Sequence, residues 1–571
     1  MDRKVIAAIA LSVGVFWFWV KFVMVPPSPS EMAQKKDSQT GDQGVPKNAP
    51  QKDGSKAAVD KAPEGDKGED FGKGGLTGPP IVRQPESFST VEVAGRLRAQ
   101  LSSWGAALHD LTLTDPRYLE HVGERDLPID LVSTKDAPLP YAVTFPDSGF
   151  DLPPDADFKL DLPAGAAANP LERRYVWEGA SVHVEKRWVF QPGSYQAGLE
   201  VTVENRGSKP LPATLRLTIT GRQDPDVQPS FLRPSVVQTE ALCSTGKAKR
   251  EALSSLIKEA TELTGPVRVV AIDRKYFALA AAMPPVEGTR CRLEGTKTGR
   301  VTVSASLPTV SIAAGGKQTW NLVTFTGPKI VAELDDAMVA GQPAHLGDIM
   351  NYGFTEIFAR PMLWVLKAVH RGLGNYGIAI ILLTLLIKLI TWWPTAQSMK
   401  SAQAMAKLKP EMDKLKEKYG DDKARMNQEV MALYQKHKIN PLGGCLPVLI
   451  QMPIYIALYS MLGNSVELYR AGFGLWIHDL TAPDPFFVLP LLTGALMFLQ
   501  QKLSPAAVDP SQKTMMTMMP LMFTGMSIFL PAGLTLYILT NTGLSILQQR
   551  ISTPKSADAA PAKNAKKKAD R

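Results

Sequence analysis

GNYGIAIILLTLLIKLITWWPT, running from Gly374 to Thr395, is the stretch on which the reading of this chain turns. From Tyr376 to Trp393 it is apolar for about 18 residues, the length a bilayer-spanning helix needs. Near its far end stands Lys388. An ammonium in hydrocarbon costs on the order of 3 kcal/mol or more, so the fold must give it water or a partner. At 1.5 Å per residue it lies roughly 18 Å from Tyr376 and roughly 8 Å from Trp393, inside one leaflet. Thr384, Lys388, Thr391 and Thr395 recur at i, i+4, i+7 and i+11, which predicts one polar face on a greasy helix. The plainer alternative is a lysine that snorkels to the headgroups, with threonines bonded to their own backbone. A snorkelling lysine has no need of threonines that continue toward the bilayer centre.

Outward from this helix the same grammar repeats. Four more apolar segments follow, Cys445–Leu462, Phe486–Leu503, Thr514–Leu530 and Leu534–Ile551, and another, Val5–Val25, opens the chain behind Arg3 and Lys4. Aromatics, Pro26 and Pro27 follow that first segment where a cleaved signal would place small residues, so residues 1–25 read as an uncleaved anchor, a cleaved signal peptide being the alternative. The lysine-rich segment 397–444 predicts a cytoplasmic αα-hairpin, either a solvated spacer or a docking surface for a ribosome or targeting factor, broken at Gly420-Asp421-Asp422. The link holding Glu467, Arg470, Asp479 and Asp484 is poor in lysine and therefore exported, while the basic tail 552–571 is cytoplasmic. The expected topology is six spans with both termini inside. Residues 351–373, too charged to span, suit an amphipathic helix lying in the interface.

The remainder is polar. Residues 26–85 are Pro, Gly, Ser, Lys, Asp and Gln with almost no large apolar side chain, and are expected to be a disordered tether. From 86 to 340 the period becomes two, as in Ser181–Phe190, Leu199–Val203, Leu215–Ile219 and Trp320–Phe325, separated by turns such as Asn205-Arg-Gly207. That predicts a large exported antiparallel β-sandwich, interrupted by a helix at Ser254–Leu263 and closed by one at Ile330–Val339. Cys243 and Cys291 would share an oxidising compartment and either pair or remain buried thiols.

The 571 residues carry a net charge of +9, but the basic residues cluster beside apolar spans, which is a mark of topology and not of a specific nucleic acid. No metal-site spacing, nucleotide loop or nucleophile motif is present, so neither a catalytic residue, a cofactor nor a metal is expected. Polar residues recur inside the spans: Gln451, Tyr455 and Tyr459 on one face, Thr517 and Thr524 on another, Asn541, Ser545 and Gln548 on a third. Each alone reads as interhelical glue; with Lys388 they outline one wet groove. No Asp or Glu lies in the five C-terminal spans, so Lys388 has no ion-pair partner there and no carboxylate relay for ion coupling. A waiting cation of this kind suits a substrate with an acidic flank. The methionines from Met515 to Met526 add adaptable apolar surface.

Gly374-Asn-Tyr-Gly377, Asn440-Pro-Leu-Gly-Gly-Cys445-Leu-Pro447, Ile450-Gln-Met-Pro453, Leu475-Trp-Ile-His-Asp-Leu480 and Ala532-Gly-Leu-Thr-Leu-Tyr537 together resemble the YidC membrane protein insertases of Gram-negative type. The resemblance implies a polytopic α-helical membrane protein of the bacterial inner membrane, with a five-span insertase core over 374–551 and a periplasmic β-supersandwich. It implies a hydrophilic groove open to cytoplasm and lipid but closed toward the periplasm, in which Lys388 takes the place of the family's usual arginine and loses its bidentate fork. Thr384, Met452 and Pro453 fall where the family contacts substrate or shapes the groove. With Thr391, Gln451, Tyr455, Thr524 and Asn541 they make up the expected substrate-binding set. The implied partners are nascent membrane proteins, the Sec translocon, the ribosome with signal-recognition machinery, and lipid. A secondary transporter and a tethered carbohydrate-binding or carbohydrate-processing protein are the rival readings.

Overall fold

The computed structural model describes residues 84–122, 125–161, 169–224, 239–419, 422–437, 446–503 and 510–552. The expected anchor 1–25, the tether as far as residue 83, the tail from 553 and the Asn440–Cys445 motif lie outside the described residues.

Alternation of apolar and polar residues builds the first half. Val182–Phe190 buries every second side chain, and its neighbours Glu172–Glu178 and Gln196–Asn205 pair with it antiparallel. Nine strands from Lys159–Leu160 to Ala248–Ala252 form one antiparallel sheet, and five, including Arg216–Arg222, Arg300–Ser306 and Thr289–Gly295, form a second. The faces between them share one continuous apolar core, as an alternating pattern with one buried face requires.

Two expected helices are corrected. Only Leu253–Leu256 (α1) is helical in the first, and Thr261–Gly265 pairs instead with Thr289–Leu293. Thr-Glu-Leu-Thr alternates with period two, and the open strand edge offers it a full ladder. In the second, Val331–Asp335 (α2) is helical, while Met338–Val339 turns back on Gln342–Pro343.

The register of Val182–Phe190 forces a lysine inward. Lys186 is buried, its Nζ donating to the carbonyls of Gly105 at 3.1 Å and Tyr141 at 2.7 Å, with the Trp188 ring 5.6 Å away. Burial lowers its pKa to about 7. The unfolded chain therefore binds a proton that the folded chain has released between about pH 7 and the ordinary lysine value of 10.5. Stability of the sandwich should climb with pH across that window. Lys186→Met is expected to abolish the climb and to raise stability at neutral pH, read by denaturant unfolding of the full chain at several pH values.

Cys243 lies on Thr239–Ser244 of the larger sheet and Cys291 on Thr289–Gly295 of the smaller, their Cα atoms 6.5 Å apart, within the range a disulfide bridges. Oxidised protein should run faster without reductant and resist alkylation at both positions; unchanged mobility with both thiols alkylated would exclude the bond.

The second half is helical: Glu356–Leu373 (α3), Tyr376–Ile390 (α4), Trp392–Lys407 (α5), Lys409–Tyr419 (α6), Lys423–Lys436 (α7), Leu446–Asn464 (α8), Val488–Leu503 (α9), Pro510–Ser527 (α10) and Ala532–Ser552 (α11). Gly374, at φ +66°, ends α3, and Asn375 caps α4 by accepting from the Ile378 N–H at 3.0 Å. The expected single helix through Trp393 is corrected: the axis turns by 60° between α4 and α5. Pro394 accounts for the turn, because it withholds an N–H from the Ile390 carbonyl and its ring crowds that oxygen. Thr395 thus lies beyond the bend, off the face carrying Thr384 and Lys388. Among the described residues no single helix is long and apolar enough to cross a membrane. The bent pair α4–α5 meets that test together, and α9 is a shorter apolar helix.

α6 ends at Tyr419 and α7 begins at Lys423, and of the expected Gly420-Asp421-Asp422 break only Asp422 lies among the described residues. Asp422 caps α7 by accepting from the Arg425 N–H at 3.0 Å, and Tyr434 reaches back across to Met412.

Candidate functional site

α4 divides by face. Gly377, Ile380, Thr384 and Lys388 are buried, whereas Leu385, Leu389 and Ile390 on the opposite side are exposed. The helix therefore turns its polar stripe toward its neighbours and its grease outward, which a helix in lipid does and a helix in water does not. α11 receives that stripe and packs against α4, α8 and α9.

Lys388 is 6% exposed, so it does not snorkel. Its Nζ donates to Ser545 Oγ at 2.7 Å, and Ser545 in turn donates to the Asn541 carbonyl at 2.7 Å. Among the described residues no carboxylate forms an ion pair with this ammonium. A single hydroxyl leaves two of its three protons available to another acceptor.

The threonines follow the plainer reading. Thr384 donates to the Ile380 carbonyl at 2.6 Å and Thr391 to that of Ile387 at 2.8 Å. Their hydrogens are spent on the helix, so the stripe presents hydroxyl lone pairs as acceptors.

A second polar knot joins α8 to α11. Gln451 Nε2 donates to Tyr537 Oη at 2.6 Å, Asn541 Nδ2 donates to Tyr455 Oη at 3.3 Å, and the two tyrosine rings meet edge to face at 5.6 Å. Asn541 thus links both knots, its carbonyl to Ser545 and its amide to Tyr455. Met452 and Pro453 are half-buried beside Gln451, with Pro453 inside α8. Thr524 stands apart from this network: it donates to the Pro520 carbonyl and presses on Gly494 so closely that no β-carbon would fit there. It seats α10 on α9.

Ser545, Tyr537 and Gln548 are the residues that the expected binding set lacks. Gln548 is fully buried and donates to the Trp392 carbonyl at 3.1 Å, anchoring the α4–α5 bend to α11. The i, i+4, i+7 spacing of Asn541, Ser545 and Gln548 marked their common face. It carried no sign of which residue meets Lys388.

Residues 368–558 match the family described as the 60Kd inner membrane protein, and residues 91–365 match the YidC periplasmic domain. The membrane protein insertase YidC of Syntrophus aciditrophicus is 34% identical over 560 residues, covering 96% of this chain and 99% of that protein. That of Anaeromyxobacter dehalogenans strain 2CP-1 is 36% identical over 485 residues, covering 83% and 86%. Among solved structures, an active YidC insertase with its first transmembrane domain resolved is 18% identical and covers 82% of this chain and 92% of its own, at a TM-score of 0.35, too low to establish a common fold.

Proposed function

The chain belongs to the YidC family of membrane protein insertases, and on that premise we propose that Lys388 is the electrostatic receiver for the incoming polypeptide. The family acts on nascent membrane proteins in the inner membrane and carries a periplasmic domain; it is not an enzyme family. The observation behind the role of Lys388 is an ammonium buried among helices, held by one hydroxyl and without a carboxylate among the described residues. A substrate carboxylate supplies the missing counter-charge. Ser545 holds the ammonium until then, and Thr384, Thr391, Gln451, Tyr455 and Asn541 offer further polar contacts along the same path.

The acidic, exported end of a substrate is drawn to Lys388 from the cytoplasmic side. Its apolar span then moves out past the exposed leucines of α4 into lipid, gaining about 0.3–0.6 kcal/mol per large apolar residue. Met452 and Pro453, with the exposed Met518, Met519 and Met522 of α10, shape the apolar margin, while Thr524 holds α10 on α9. This reading takes six spans with both termini cytoplasmic, a hairpin α6–α7 open to ribosome or signal-recognition contacts, and cooperation with the Sec translocon for larger clients.

Site-specific photocrosslinking tests it. Probes at positions 384, 391 and 451 should crosslink to the span of a ribosome-held membrane-protein chain. Efficient probes that yield only lipid or internal adducts, on a chain that still inserts, would assign these residues to packing.

A further inference from the structure

The segment between α8 and α9 is held from two sides. Inside, it lies across the helix ends opposite the lysine-rich hairpin. Asn375 Nδ2 donates to the Phe473 carbonyl at 2.8 Å, and the Phe473 ring covers Gly377 where a β-carbon would leave no room. The Gly533 N–H donates to the Leu480 carbonyl at 2.8 Å and the Ala532 N–H to that of Ala482 at 2.7 Å, which ties the same segment to the start of α11. Asp484, buried, closes it by accepting from the Leu489 N–H at 2.7 Å.

From outside, the sandwich grips it. Tyr469 sets its ring among Tyr118, Tyr276 and Phe277, at 6.3, 5.3 and 5.4 Å, and its hydroxyl donates to the Leu119 carbonyl at 3.1 Å. Arg470 donates to that carbonyl at 3.1 Å and pairs with Asp126 at 3.1 Å. Neighbouring residues alternate in allegiance: Val466 belongs to the sandwich core and Leu468 to the helical core, while Glu467 pairs with Lys367 of α3 at 3.1 Å. A free surface loop does not bury successive residues in two different cores.

The family resemblance already implies a groove closed at its exported end; we propose that the β-sandwich is the clamp that keeps Ser465–Asp484 seated there, acting through Tyr469 and Arg470. The exported domain then has a role that needs no ligand: it keeps an insertase with a wet groove from leaking. The proposal rests on the topology given under the functional reading above. It separates the two ends of the groove: Lys388 governs entry, while the clamp governs tightness.

The test uses the full chain in proteoliposomes, with Cys445→Ser and with Ile380→Cys as a reporter beneath the seal, where Ile380 packs against Gly533. A membrane-impermeant maleimide is applied from the exported side, and proton leak is followed with a trapped dye. Arg470→Asp, and separately Tyr469→Ala with Arg470→Ala, should each raise labelling at position 380 about tenfold and raise leak in parallel, as release of a locally stable segment permits. Asp126→Arg combined with Arg470→Asp should return both toward the parent values. Insertion of a short acidic-tailed substrate should be retained throughout. Labelling and leak that stay at parent values in both variants overturn the clamp. A rise that appears only together with loss of insertion also overturns it, because the segment would then belong to the substrate path. Failure of the parent chain to insert would instead sink the insertase reading and leave the leak comparison legible.

Discussion

Lys388→Glu is expected to abolish insertion of short substrates with acidic exported tails, while Lys388→Arg preserves it. Two unit charges 4 Å apart at an effective dielectric of about 20 interact by about 4 kcal/mol, so reversing one sign turns that attraction into a repulsion of equal size. Even a fraction of that swing exceeds the roughly 1.4 kcal/mol that separates tenfold populations. Arginine keeps the charge, and its donors can still meet Ser545, so the variant changes geometry more than energy. Protease protection of a reporter substrate in vesicles reads the result. Neutral-tailed substrates should be less affected, because their capture draws on the apolar margin. Full insertion of the acidic reporter by the Glu variant would end the electrostatic role of Lys388.

The second large effect lies in the sandwich. Lys329 is fully buried and donates to Asp273 Oδ1 at 2.8 Å, and Arg250 donates to Asp273 Oδ2 at 2.6 Å. Asp273→Asn leaves a buried ammonium facing a neutral amide. Removing one partner of a buried pair costs about 3–5 kcal/mol, and burial already lowers the pKa of Lys329. Adding Lys329→Met should recover most of the loss, since the uncompensated ammonium is the expensive species. The loss should not stay local. Arg250 also donates to the Asp348 and Ile349 carbonyls just ahead of α3, so loosening its carboxylate partner loosens the entry to the helical half. Pulse proteolysis of the full chain measures this. A single variant as resistant as the parent would show that Arg250 and the backbone alone satisfy the cluster.

Much of this protein was legible as pattern. Alternation over Ser181–Phe190 announced a strand with one buried face, and that same register puts Lys186 inside. The Gly-Asp-Asp break announced a hairpin, and Asp422 caps its second helix. The two misplaced helices failed for different reasons. The edge of the smaller sheet claims Thr261–Gly265 from the first, and a vacant ladder is a tertiary fact, whereas Met338–Val339 leaves the second for a local hairpin with Gln342–Pro343. The bend after Ile390 was present in the sequence as Pro394, though a run of apolar residues conceals where a helix changes direction.

The sequence by itself determined that Lys388 sits in an apolar stretch, that the five C-terminal apolar segments hold no Asp or Glu, and that water or a partner would have to meet its charge. Those are properties of composition and of period, and both are local. Only the tertiary structure decided that Lys388 meets Ser545, that Gln548 pins the bend, and that Tyr469 and Arg470 fasten the loop between α8 and α9 to the sandwich. Lys388 and Ser545 lie 157 residues apart, and Arg470 and Asp126 lie 344 apart. Helical spacing says which residues share a face. Which face meets which is settled by packing all the helices at once, and no single stretch of chain carries that information.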